Sequence, residues 1–156
     1  MPPRWMGLLL GALALVLGVS ACGGGSEPIS RADYAASVRA ARDRVDFALA
    51  RITQAQSQDE FLDRMDEAAK LIDQAASDLS QKGSAKGFES ETRQLVAAFR
   101  QLSVDLAATA SQIREPGFQD LLTGTRGLSF DSWTRANRVL ERLRQRGIRV
   151  PPLQRH

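Results

Sequence analysis

The sequence predicts an all-α protein, most simply an up-down-up-down four-helix bundle. Apolar residues recur at alternating steps of three and four in four separate segments, and no segment shows the period-two alternation of a β-strand. Glycine and proline fall mainly between these segments. Each predicted helix has one apolar stripe that must pack against the others, and short connections favour antiparallel neighbours. A three-helix bundle with the last helix docked across one end is the alternative.

The first two helices have clear start and stop signals. Ser30 is the predicted N-cap of the first helix, with Asp33 at its third position. Ser57 and Glu60 form a capping box at the start of the second helix, and Gly83 is its predicted end. The stripe of the first helix is Tyr34, Val38, Ala41, Val45, Ala48 and Ile52. The stripe of the second is Phe61, Met65, Ala68, Ile72, Ala75 and Leu79.

Proline and glycine delimit the last two helices. The third is predicted from about Ser90 to Ile113, because Pro116 disfavours helical geometry at the residue before it. A looser stretch follows, with one short helical turn expected in residues 115–128. The fourth is predicted from an N-cap at Ser129 to Arg146, with Gly147 closing it and Ile148 making the accompanying apolar contact. The stripe of the third is Thr92, Leu95, Phe99, Leu102, Leu106, Thr109 and Ile113. The stripe of the fourth is Trp133, Ala136, Leu140 and Leu143.

The amino terminus carries a targeting pattern that is separate from these helices. A short basic region precedes Leu8 to Val19, an apolar run of signal-peptide length that is too short to span a bilayer. The run ends in Val19-Ser20-Ala21-Cys22, and Cys22 is the sole cysteine. This pattern resembles the lipobox of bacterial lipoproteins. The resemblance implies cleavage before Cys22 and attachment of diacylglycerol and fatty acid, such as palmitate, to that residue.

The resemblance also implies a domain organisation and a location. Residues 1–21 are the expected signal peptide, residues 22–29 the lipidated cysteine with a flexible tether, and residues 30–156 the helical bundle with a short C-terminal tail. The bundle is expected on the outer side of the plasma membrane, or at the outer membrane of a Gram-negative cell. Arginine greatly outnumbers lysine, which is typical of a GC-rich genome such as an actinobacterial one. The mature part resembles small helical envelope lipoproteins of unknown function.

Positive charge is concentrated near the C-terminal end. Residues 27–125 carry a net charge of −4 and residues 126–156 a net charge of +6. Arg135, Arg138, Arg142 and Arg146 follow helical spacing along one side of the fourth helix. In an up-down bundle, one end is expected to gather the cations Lys82, Lys86, Arg142, Arg144, Arg146, Arg149 and Arg155. Anionic lipid, an acidic cell-wall polymer or an acidic protein is the expected partner, rather than nucleic acid, which an exported protein rarely meets.

Catalytic and cofactor motifs are not evident in the sequence. The sole histidine, His156, is expected at an untethered end, and no Ser-His-Asp set, cysteine nucleophile or glycine-rich phosphate loop is recognisable. Asn137 is expected to be solvated. The best arrangement for a cation is a weak one, Asp59, Asp63 and Asp66 on one face of the second helix. The same negative charges also complement the dipole of that helix.

These observations favour a membrane-anchored, non-enzymatic protein with a binding or scaffolding role and no cofactor. The alternative is an accessory carrier that binds a small ligand or a cation within or beside the bundle. An internal cavity or a ring of inward-facing carboxylates would favour the carrier. A packed core with an exposed apolar or charged face would favour the scaffold.

Overall fold

The computed structural model describes residues 28–115 and 130–156, which form four helices. These are α1 (Arg31–Ile52), α2 (Gln58–Lys82), α3 (Glu89–Arg114) and α4 (Asp131–Gln145). Among the described residues no strand occurs, and α1 packs on α2, α2 on α3 and α3 on α4. The predicted all-α bundle is therefore confirmed. The predicted signal peptide and Cys22 lie outside the described residues, as does the short turn expected after α3.

The predicted signals at the ends of α1 and α2 are confirmed. The Ser30 hydroxyl accepts a hydrogen bond from the Asp33 N–H at 3.0 Å, and the Ser57 hydroxyl accepts one from the Glu60 N–H at 3.2 Å. The Glu60 carboxylate accepts from the backbone N–H of Gln56 at 2.8 Å. This bond, with a further one from the neighbouring Arg64, holds the pKa of Glu60 below its usual range. Both helices thus begin with their first donors satisfied.

The start of α4 differs from the prediction. The helix begins at Asp131, and Phe130, not Ser129, occupies the N-cap position. Phe130 has no side-chain acceptor, and the first helical bond runs from the Thr134 N–H to the Phe130 carbonyl at 3.2 Å. The acidic side chain of Asp131 lies in the first turn, where negative charge favours the helix dipole. Ser129 is a typical N-cap residue, so the sequence prediction placed the start of α4 one residue too early.

The end of α4 is a Schellman motif, as the sequence predicts. Gly147 has a φ of 83°, and its N–H donates to the Arg144 carbonyl at 2.9 Å. The N–H of Ile148 donates to the Leu143 carbonyl, also at 2.9 Å. Ile148 and Leu143 are both buried, so the apolar contact that accompanies this motif is present.

The core follows the predicted stripes closely. Every stripe residue of α1 is buried, and in the other helices only Phe61, Thr109 and Trp133 are half-buried. Phe99, at the middle of α3, has no exposed surface. The hydroxyls of Tyr34 and Thr92 lie 2.9 Å apart inside this core. In the described part of the chain, no buried side-chain polar atom lacks a hydrogen-bond partner.

Residues 148–156 form a non-helical segment, here called the closing segment, that lies between α1 and α4. Val150 and Leu153 are buried, with 2% and 3% of their surface exposed. The Arg42 guanidinium of α1 donates through Nε to the Pro152 carbonyl at 3.1 Å. On the α4 side, the Asn137 amide oxygen accepts from the Leu153 N–H at 2.7 Å. The expectation that Asn137 is solvated is therefore wrong, because the closing segment needs its oxygen as an acceptor.

The far part of the closing segment is also held by α1. The Asp46 carboxylate, 12% exposed, accepts from the Gln154 N–H at 2.7 Å and lies 3.3 Å from the Arg42 guanidinium. His156 Nε2 lies 3.5 Å from the same carboxylate. The expectation of an untethered end is wrong. This segment explains how α1 and α4, which are not one of the closely packed helix pairs, are joined into one bundle.

Candidate functional site

The predicted basic residues do not form a single cluster of free charges. The basal end of the bundle comprises the start of α1, the connection between α2 and α3, and the end of α4. There the Ile29 N–H donates to the Ser84 carbonyl at 3.2 Å, and Arg31 donates to the Arg146 carbonyl. Lys82 and Lys86 are exposed at this end, as the sequence predicts.

Arg146 is committed to contacts within the bundle. Its guanidinium pairs with the Glu91 carboxylate at 2.5 Å and donates to the Gly87 carbonyl at 2.9 Å. It also lies over the Phe88 ring, 4.2 Å from the ring centroid. Partial burial opposes ionisation of Glu91, but the hydrogen bond from Arg146, a backbone hydrogen bond and the nearby charges of Arg146 and Arg142 together hold the pKa of Glu91 below its usual value. Arg146 therefore joins α4 to the start of α3.

The other predicted arginines of the basal end differ in availability. Arg144 pairs with Glu141 of its own helix at 2.9 Å. Arg142 donates to the side-chain oxygen of Gln94, and its charge helps to stabilise the nearby Glu91 carboxylate without a direct ion pair. The Arg149 side chain is exposed, and its carbonyl accepts from Arg39 at 3.4 Å.

Arg155 lies elsewhere, so its predicted position is wrong. Its guanidinium is 5.1 Å from the ring centroid of Trp133, in the first turn of α4 and thus at the end opposite Arg142 and Arg146. The reason is the course of the closing segment. It leaves the end of α4 and runs back along α1 instead of continuing past the basal end.

Two of the three acidic residues considered for a cation lie close to Arg114 of α3. Arg114 lies 2.7 Å from an Asp66 oxygen and 3.9 Å from an Asp63 oxygen, while Asp59 is exposed in the first turn of α2. Hydrogen bonding to Asp66 raises the pKa of Arg114. Within residues 28–115 and 130–156, no three His, Cys, Asp or Glu side chains are arranged to hold a metal ion. The ion pairs tie α2 to α3 instead.

A groove between α3 and α4 is the strongest candidate for a binding site. Its volume is ≈ 400 Å³. It is lined by Gln94, Ala97, Ala98 and Gln101 of α3 and by Arg135, Arg138, Val139 and Arg142 of α4. Arg142 meets Gln94 at one end, so the antiparallel helices place Arg135 toward Gln101 at the other end. Three guanidinium groups therefore border a floor of alanine and valine.

The arginines of this groove have no acidic partner in the described part of the chain. No carboxylate there lies within ion-pair distance of Arg135, Arg138 or Arg142. Asp105, beyond Gln101, has one oxygen bonded to the Gln101 amide at 2.8 Å and the other to the Ser132 hydroxyl. Chemically, the groove offers hydrogen-bond donors and positive charge to an anion and apolar surface beneath it.

Sequence reasoning identified only half of this groove. The spacing of Arg135, Arg138 and Arg142 is visible in the sequence and marks one side of α4. The four lining residues of the facing wall carry no charge and form no motif, so they could be found only from the register of α3 against α4; they are Gln94, Ala97, Ala98 and Gln101.

No family model, curated protein or solved structure matches the chain. Of the helices within the described residues, none combines the length and apolar character needed to cross a membrane.

Proposed function

We propose that this chain is a lipid-anchored protein of the bacterial cell envelope with a non-catalytic binding role. The lipobox that ends at Cys22 supports an anchor through diacylglycerol. The binding role rests on one observation, the groove between α3 and α4 bordered by three arginines that form no ion pair with the described residues. Guanidinium groups bind carboxylates and phosphates through paired hydrogen bonds, so the partner is anionic.

The course of the chain supports an upright orientation on the membrane. Ile29 enters α1 at the basal end, and the tether of residues 22–29 is short, so an anchored Cys22 keeps that end near the headgroups. Lys82, Lys86 and Arg149 are exposed at or near this end. Each cation near an anionic leaflet contributes about 1 kcal/mol of attraction, which fades within a Debye length. These three residues replace the larger basic set of the sequence prediction.

A second proposed function is an accessory carrier of a small anion. The groove volume of ≈ 400 Å³ lies within the range of about 300–1,000 Å³ for small-molecule sites, which favours this alternative. Calorimetric titration with phosphate and with small dicarboxylates separates the two functions. Saturable binding of one small anion, lost on Arg138→Gln, would favour the carrier.

The anchor is tested by expressing the full chain in a bacterium fed with labelled palmitate. We expect label on the wild-type protein and none on Cys22→Ala, with mass spectrometry placing the mature N-terminus at an acylated Cys22. Cleavage at another residue, or an unmodified thiol at Cys22, contradicts the proposal. Cys22→Ser distinguishes loss of the thiol from a change in the size of the residue.

The orientation is tested by measuring the height of a probe above the membrane. Since Cys22 is the sole cysteine and would be acylated, Gln54→Cys gives a unique labelling site in the connection after α1. With α1 upright, energy transfer to a headgroup dye should place this label at least about 33 Å above the basal end, from 1.5 Å per residue over the 22 residues of α1.

The matched variants share the same change in charge. In phosphatidylglycerol vesicles, Lys82→Gln/Lys86→Gln/Arg149→Gln should lower the label toward the surface, as should high salt. Arg135→Gln/Arg138→Gln/Arg142→Gln should leave it upright. A wild-type label that lies near the headgroups contradicts the orientation. So does a label height that is the same in the wild-type protein and in Lys82→Gln/Lys86→Gln/Arg149→Gln.

A further inference from the structure

The solvent-facing side of α3 is unusual among the helices because it carries no acidic residue over most of its length. Between residues 93 and 114 its exposed residues are Arg93, Gln94, Ala97, Arg100, Gln101, Val104, Ala107, Ala108, Ser111, Gln112 and Arg114. Val104 has 58% of its surface exposed. This face adjoins the groove, so the α3–α4 side of the bundle combines positive charge with small apolar residues.

Several arginines elsewhere on the bundle pair with carboxylates of a neighbouring helix. Arg44 pairs with Asp78, and Arg51 pairs with Glu67 at 2.7 Å. By contrast, Arg135, Arg138 and Arg142 repeat the same charge at three- and four-residue spacing, an arrangement that destabilises a helix. An anion bound in the groove would relieve the repulsion among these three guanidinium groups. Charge complementarity therefore defines the partner as acidic.

The shape of the groove narrows the class of partner. Its floor is formed by the methyl groups of Ala97 and Ala98 and by the side chain of Val139. A flat headgroup layer cannot reach into a concave groove, and a phosphate polymer gains nothing from an apolar floor. Small residues, however, let a third helix approach to ordinary packing distance, about 8–10 Å between axes. Arg135 and Arg142 are seven residues apart, about 10.5 Å along the axis. On a docked helix, carboxylates at positions i, i+3 or i+4, and i+7 have the same spacing as these arginines, so each carboxylate can face one guanidinium group.

We propose that the α3–α4 groove binds an acidic amphipathic helix of a partner protein. The apolar side of that helix packs on Ala97, Ala98 and Val139, and its glutamates or aspartates pair with Arg135, Arg138 and Arg142. This is the helix-in-groove mode of recognition, with the register set by charge. The proposal specifies the partner for the binding role proposed above and rests on it, but it does not depend on the membrane anchor.

The test uses a synthetic amphipathic helix and the full chain in a mild non-ionic detergent. The probe is a fluorescein-labelled peptide of about 20 residues, long enough to be helical, with alanine and leucine on one side and glutamate at the spacing above. The control peptide has glutamine in place of each glutamate. Fluorescence anisotropy at low salt should show saturable binding of the acidic peptide, at least tenfold tighter than that of the control, and binding should weaken as salt is added.

Two matched triple variants locate the site. Arg135→Gln/Arg138→Gln/Arg142→Gln should weaken acidic-peptide binding at least tenfold. Lys82→Gln/Lys86→Gln/Arg149→Gln, with the same change in net charge, should alter it less than twofold. Equal effects of the two variants would overturn the proposal, because they would show attraction to net charge alone. All the substituted side chains are exposed, and unchanged thermal unfolding verifies the fold of each variant.

One substitution separates helix docking from simple anion binding. Ala97 is exposed, so Ala97→Leu fills the floor without disturbing the core. It should weaken peptide binding at least fivefold but leave inorganic polyphosphate binding unchanged. If Ala97→Leu has no effect on the peptide, or if polyphosphate binds through the three arginines and the peptide does not, the proposal is wrong and the groove binds a linear polyanion. Both results are obtained without a membrane, so they are independent of the anchoring and orientation tests.

Discussion

Replacing Leu153 by alanine should show whether the closing segment is an integral part of the bundle. Its side chain is 3% exposed between α1 and α4. The substitution removes three carbon atoms from this site, about 2.4 kcal/mol at roughly 0.8 kcal/mol per buried methylene. A cavity would add to this loss, but a seam at the surface relaxes more readily than the bundle centre. We therefore expect the free energy of unfolding to fall by about 2–3 kcal/mol.

The measurement is urea unfolding of the full chain followed by circular dichroism. Leu153→Ala should lower the midpoint without changing the slope, which reports the surface exposed on unfolding. Two control substitutions bracket the effect. Val104→Ala trims an apolar side chain that is 58% exposed, and Gln154→Ala changes only an exposed side chain beside Leu153. Each control should cost less than about 0.5 kcal/mol. A loss for Leu153→Ala no larger than that of the controls would refute the role of the closing segment.

Four further predictions concern the core, a turn and two ionisable groups. Phe99→Ala should cost about 3–5 kcal/mol, because the side chain is fully buried; a loss below about 1 kcal/mol in urea would contradict its place in the core. Gly147→Ala should cost about 1–2 kcal/mol and lower the melting temperature, since φ is +83° and a Cβ would lie 2.8 Å from the Arg31 side chain; an unchanged melting temperature would argue against strain. Burial raises the pKa of Tyr34, the sole tyrosine, so the stability it contributes is complete below about pH 10 and is lost as pH rises further. Ultraviolet titration should show phenolate forming at higher pH in the folded chain than in the urea-unfolded chain, and equal titration curves would count against this. A backbone hydrogen bond lowers the pKa of Glu60, so its contribution to stability is present above the ordinary carboxyl pKa and lost as pH falls; Glu60→Gln should flatten the acid side of the stability curve, and an unchanged curve would disprove it.

The sequence predicted those parts of the fold that depend on local patterns. Nearly every residue of the predicted apolar stripes is buried, and Ser30, Ser57 and Gly147 predicted three helix ends, because each of these residues forms bonds to its own neighbourhood. The start of α4 was missed because its N-cap, Phe130, has no capping side chain to give a signal.

The closing segment was not predicted, for a different reason. Beyond Ile148, the buried Val150 and Leu153 follow neither a helical nor a strand period, so their burial has no periodic signature. Two of the residues that hold the segment, Arg42 and Asp46, lie more than a hundred residues earlier in the sequence. In the sequence, Arg42 and Asp46 resemble the other charged residues of α1. Nothing in their spacing indicates that they contact the closing segment.

The candidate site shows the same limit. Charge counting found an arginine-rich end, but whether an arginine is free depends on its partners in other helices. Arg146 is neutralised by Glu91 of α3, whereas Arg138, eight positions earlier on the same helix side, has no carboxylate partner in the described residues. The register of α3 against α4 determines which arginines of α4 have a carboxylate partner on α3, and the sequence alone does not show that register.

The position of the closing segment has a consequence for how the chain reaches its final state. Residues 148–156 are synthesised after all four helices, yet they fill the seam beside α1, and the Arg42–Pro152 contact spans 110 positions of the sequence. Such distant contacts form late, since the chain entropy of closing a long loop must be overcome first. Partial chains can form helices and neighbouring helix pairs while the seam stays open. The core of the bundle is therefore complete only after the last residues of the chain have been synthesised.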